Sequence, residues 1–168
     1  MSMTTAPAFE QTPKPEHFRV YSGKLWRIVE AQHLVGNAVF HASNNATEFE
    51  SRSDAKGVEP ESVVIGAVGG RLYAFIGLER DGGIVVLDLS EPTAPAFVTY
   101  ANNRKFPKNA DGTFASCADS AATPGVSTCS DLGPEGLTFV AAVNSPTGKA
   151  LLIVSNEVSS TTTVWQVE

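Results

Sequence analysis

Four glutamates recur at matching places in two stretches of the chain. Glu61 follows Pro60 and Glu135 follows Pro134, while Glu79 and Glu157 each close the second apolar run of their stretch. A carboxylate is a hard oxygen donor, and a cation such as Ca2+ takes six to eight oxygens. Carboxylates Glu61, Glu79, Glu135 and Glu157 brought around one axis would therefore suit calcium. The competing reading is structural: a repeated Glu accepts backbone N–H bonds from a neighbouring turn and pins one unit to the next. Glu48, Glu50, Asp54 and Glu59 form a second acidic group, in a segment whose bases are Arg52 and Lys56. Their spacing departs from an EF-hand loop. They read either as a binding loop or as a solvated one.

Other chemistries lack partners. His17, His33 and His41 are isolated, with no second ligand at zinc-site spacing. There is no G-x-S-x-G elbow for a serine nucleophile. The run Gly66-Ala67-Val68-Gly69-Gly70 is not a dinucleotide fingerprint opening a helix. Cys117 and Cys129 bracket a loop of Ala, Ser, Thr and Gly. Two thiols without a CxxC pair do not make a structural zinc site. They read as a local disulfide, which implies an oxidising compartment, or as two free thiols.

The elements that must position these groups are short and extended. The chain has 168 residues, 14 Gly and 10 Pro, and a net charge of -6. An acidic chain without a basic footprint makes nucleic acid a poor partner. No apolar run is long enough for a membrane span. Residues 1–17 read as a flexible leader without the basic and apolar regions of a signal peptide. Residues 18–31 fit strand, turn and strand. Val63–Val68, Arg71–Leu78, Ile84–Leu89 and Ala96–Tyr100 follow as four strands, with Gly69-Gly70 as a hairpin turn. Residues 101–131 form a long insertion. Leu137–Ala142, Lys149–Ser155 and Thr161–Val167 then make three more strands.

Both stretches run Pro-Glu, apolar strand, turn, apolar strand, Glu, turn, strand. One supersecondary unit used twice is the signature of a repeat fold. The expected fold is all-β, with antiparallel four-stranded meanders of β-propeller-blade type. The expected domain is residues 18–168, with blades at about 58–100 and 132–168. Two blades cannot close a ring, and the second shows only three strands. The chain is expected to be a partial propeller that meets a protein partner, remaining blades or another copy of itself.

The runs SRSDAKGVEPE, YAFIGLER and LGPEGL carry a resemblance to the choice-of-anchor I domain family. That resemblance extends over roughly residues 39–168 and to the last part of the family's domain. It implies a secreted or surface-attached β-propeller, similar to the mesenchyme-specific cell-surface glycoprotein. The implied function is a non-catalytic extracellular or cell-envelope binding and scaffolding module. The Pro-Glu rhythm is also similar to phytase-like propellers, which implies the alternative of a calcium-dependent phosphoesterase. A truncated product without independent activity is the third reading.

Overall fold

The computed structural model describes residues 57–105, 108–113 and 129–168. The described residues form two antiparallel sheets. The first is β1 (Pro60–Val68), β2 (Arg71–Leu78), β3 (Ile84–Asp88) and β4 (Ala96–Ala101), hydrogen-bonded in that order. The second is β5 (Pro134–Val140), β6 (Ala150–Asn156) and β7 (Thr161–Val167), again in chain order. A single 3-10 turn, Ala142–Asn144, follows β5. The protein is thus all-β in these residues. Its two meanders are blade-like, in an open arrangement compatible with part of a propeller.

Local chemistry explains the register. Gly69 and Gly70 have φ of 58° and 81°, as a two-residue turn between right-twisted strands requires. Val68 pairs with Arg71 directly across that turn. The apolar patterning alone starts the entry strands at Val63 and Leu137. In the structure they start earlier, at Pro60 and Pro134. A proline lacks the N–H of a ladder bond but is tolerated as a strand's first residue. A register shift follows each one, between Pro60 and Ser62 and between Pro134 and Gly136. The expected strand through Ala142 stops at Val140, because the Asn144 N–H bonds to the Ala141 carbonyl and curls the chain.

The repeat is visible in the backbone bonds. The Glu79 N–H donates to the Glu59 carbonyl at 2.8 Å, and the Glu157 N–H donates to the Gly133 carbonyl at 2.8 Å. The cross-strand partners match as well: Pro60 faces Leu78, and Pro134 faces Asn156. Equivalent positions follow, with Phe75 matching Ile153 and Val86 matching Val164.

The main core lies between the two sheets. Alternate residues of a strand share a face. Val64 and Val68 of β1, Tyr73 and Phe75 of β2, and Ile84 and Val86 of β3 meet Leu152 and Val154 of β6. Phe139 of β5 stacks on Phe75, with ring centroids 5.5 Å apart. Gly66 makes that stack possible, since a Cβ there would lie 2.5 Å from the Phe139 ring. Burying Phe75 almost completely contributes about 1.5–3 kcal/mol.

Candidate functional site

The acidic residues gather where the two entry strands run side by side. The turn after β2 carries Glu79 and Arg80, and the backbone bonds of this turn tie it to Val58 and Glu59. Glu59 has φ of 47°, in the left-handed region that non-glycine residues seldom adopt. This conformation folds its carboxylate inward, where Arg80 Nε donates to Glu59 Oε2 at 2.5 Å. Arg80 Nη2 also lies 3.3 Å from Glu79 Oε1. Glu59, Glu61 and Glu79 each place one carboxylate oxygen within 4.8 Å of the others.

Burial pushes the Glu79 carboxyl up to about 7 from its usual 4.5. A hydrogen bond with Glu59 and the charges of Glu59 and Glu61 add to the rise, against the opposing pull of Arg80. Near neutral pH the Glu59–Glu79 pair therefore tends to hold a proton between its oxygens. In the second unit Glu135 is exposed, and its carboxyl is raised chiefly by the charge of Glu157, with Glu61 adding to the effect. Glu61 thus acts on both units. An open hollow lined by Glu135, Ser155, Asn156, Glu157, Ser160 and Thr162 lies beside the second pair.

The sequence-predicted carboxylates are placed as follows. Glu79 is buried against Glu59 and Arg80, Glu61 is exposed beside them, and Glu135 neighbours Glu157. The close oxygen triad replaces Glu135 and Glu157 with Glu59, a residue first assigned to the preceding loop. Glu48, Glu50 and Asp54 of that loop lie outside the described residues. So does Cys117, whereas Cys129 is fully buried and no cysteine among the described residues is a free thiol.

Physically, the triad is a weak cation site as it stands. Three carboxylate oxygens are fewer than calcium takes, and Arg80 already neutralises part of their charge. The same arrangement serves well as a pin, because it ties the turn after β2 to the approach of β1.

Two further polar clusters join segments that are far apart in the chain. Asp131 Oδ1 accepts from the Thr161 hydroxyl at 2.6 Å, and Asp131 Oδ2 accepts from Thr163 at 2.5 Å and from Asn103. Burial works to raise the Asp131 carboxyl, but these three donors hold it below its usual range. The residue thereby clamps the segment after β4 to β7. Around Asp81, which is fully buried, Tyr100 donates to the Gly82 carbonyl at 2.7 Å and Asn102 to the Asp81 carbonyl at 3.0 Å. Arg104 Nη1 donates to the Arg80 carbonyl at 2.6 Å. Burial lowers the Arg104 guanidinium to about 10 despite the opposing charge of Asp81. Only the three-dimensional pairing across 18 to 32 residues makes these groups conspicuous.

Residues 22–92 match the family model of the Choice-of-anchor I domain. The chain is also similar to Gigasin-3a of Magallana gigas, with 29% identity over 150 residues and 83% of this chain covered. The resemblance to the choice-of-anchor I family is therefore shown, and it points to a surface-associated module of β-propeller type. The chain spans 49% of the length of that curated relative. No solved structure matches it significantly. Among the described residues, no helix is long and apolar enough to cross a membrane.

Proposed function

We propose that this chain is a non-catalytic binding and scaffolding module of the cell envelope or extracellular space, formed by terminal blades of a larger propeller. The supporting observation is the use of its charged residues. Glu59, Glu79 and Arg80 hold a turn to a strand, and Asp131 holds a loop to β7. Glu59, Glu79 and Asp131 are thus engaged in holding elements together. We assign partner contacts to the segments that the sequence marks as polar loops, 48–61 and 101–131, of which Pro60 and Glu61 lie in β1 and Ala101 in β4. A Cys117–Cys129 disulfide would secure the second of these loops and fits an oxidising location; the complete burial of Cys129 supports it. The domain is read as 18–168 with 1–17 as leader.

The close approach of Glu59, Glu61 and Glu79 favours a second reading, a calcium site of the kind phytase-like propellers use. One assay separates the two. The scaffold reading expects no turnover of a generic phosphate ester with or without calcium. Calcium-dependent turnover that disappears in Glu61→Gln and Glu135→Gln would overturn it.

A further inference from the structure

The β1–β4 sheet buries both of its faces, and only one of them meets the second sheet. Val64, Phe75 and Val86 face β5–β7. Their strand neighbours turn to the opposite, far face: Val63 and Ile65 of β1, Ala74 of β2, and Val85 and Leu87 of β3. Phe97 of β4 pairs with Leu87 and shares that face. None of these residues belongs to the core between the two sheets. Yet Val85 is 0% exposed, Phe97 6% and Leu87 8%, while Val63 and Ile65 are 65% and 58% exposed. An antiparallel sheet face turned to water keeps its side chains accessible, as Val164 of β7 does at 58%. The far face is therefore covered over β3 and β4 and bare over β1.

The second sheet lies on the wrong side to supply this cover. Asn102 and Arg104 gather around Tyr100 and the Asp81–Gly82 turn, at one end of the face. The rest of the cover falls to stretches outside the described residues, and their compositions differ. Residues 114–128 have Phe114 and Val126 as their large apolar side chains, and they lead into Cys129 and Leu132, which cluster beside Ser159 of the second unit. Residues 1–17 carry Pro7, Pro13 and Pro15. Residues 32–56 are interrupted at Gly36-Asn37 and turn polar after Phe40. Residues 18–31 concentrate Phe18, Val20, Leu25, Trp26, Ile28 and Val29 in two short apolar runs. In an extended chain Trp26 and Ile28 share one side, opposite Arg27. The family match over residues 22–92 also joins most of this segment to β1–β3 in one stretch.

We propose that the far face of β3 and β4 is the docking surface of the chain's own residues 18–31, with Trp26 and Ile28 packed on Val85, Leu87 and Phe97. The first sheet is then the middle of three layers, with β5–β7 on one face and this segment on the other. The added layer stops short of β1, which leaves Val63 and Ile65 bare. The contact rests on the reading of 18–168 as one domain and is independent of what the module binds.

The test is nuclear Overhauser spectroscopy on the full chain with labelled tryptophan and labelled Ile, Leu and Val methyls. Cross-peaks are expected from the Trp26 indole to the Val85 and Leu87 methyls. The Trp165→Phe variant assigns the two indoles and leaves Trp26 as the remaining tryptophan. In that variant the Trp26 emission is expected to be blue-shifted, and its quenching by acrylamide several-fold weaker than in the unfolded chain. A protected Trp26 whose cross-peaks run to other residues, with none to Val85 or Leu87, overturns the docking and leaves the 18–168 domain standing. A Trp26 quenched as readily as in the unfolded chain overturns both.

Discussion

Glu59 stands in the first unit where Gly133 stands in the second. Both are left-handed, with φ of 47° and 70°, and both offer their carbonyl to the amide of the glutamate that follows the second strand of its unit. Glycine adopts this conformation without steric cost, whereas glutamate needs compensation. The ion pair with Arg80 supplies that compensation. Glu59→Gly and Glu59→Ala both delete the pair, but only Ala retains the strain. Denaturant unfolding should find both variants less stable than the parent, with Ala about 1 kcal/mol below Gly.

The raised Glu79 carboxyl makes stability depend on pH. Its folded value of about 7 lies above the usual 4.5, so the folded state binds more protons between these two values. Stability contributed by this group is complete below pH 4.5 and is lost as pH rises through 7. Asp131 and Asp88 have lowered carboxyls, so their contribution is lost in the opposite direction, at acid pH. The melting temperature should therefore decline from pH 5 to pH 8. In Glu79→Gln, which keeps a neutral hydrogen-bonding group, this decline should flatten.

The stack between the sheets can be tested by steric exchange. Gly66→Ala places a Cβ against the Phe139 ring and should cost about 1–3 kcal/mol. Phe139→Ala removes the Cγ and both Cδ atoms that this Cβ would meet and leaves room. The double variant should be more stable than the sum of the two losses predicts, giving a favourable coupling of about 0.5 kcal/mol or more in a mutant cycle.

Asp131 offers a test of the clamp on β7. Asp131→Ala leaves the Thr161, Thr163 and Asn103 donors without their shared acceptor. A loss of about 1–3 kcal/mol is expected by chemical unfolding. Hydrogen exchange should show the largest change at β7 and at the segment after β4, with little change at the β1–β2 hairpin.

The strands were legible because their signals are local. Gly69-Gly70 between two apolar runs, and the Pro-bracketed corner before Phe97, fix turns within a few residues. Thr161–Val167 was readable to its ends for the same reason. The repeat is readable through Pro60-Glu61 and Pro134-Glu135, but nothing in residue type equates Glu59 with Gly133. Glu59 and Gly133 share a backbone conformation and no side-chain property, so pattern matching set Glu59 among loop acids. The burial of Asp81, Arg104 and Asp131 is not legible there, because polarity in a turn usually means exposure. Their burial depends on chain segments that meet only after folding.

Two related meanders pack on one another, with Gly66 against Phe139. Nuclear Overhauser spectroscopy on the labelled full chain measures this contact directly. The account predicts strong cross-peaks between the Gly66 α-protons and the Phe139 ring, and between the Phe75 and Phe139 rings. Cross-peaks confined within each sheet, with none linking Gly66 or Phe75 to Phe139, would contradict it.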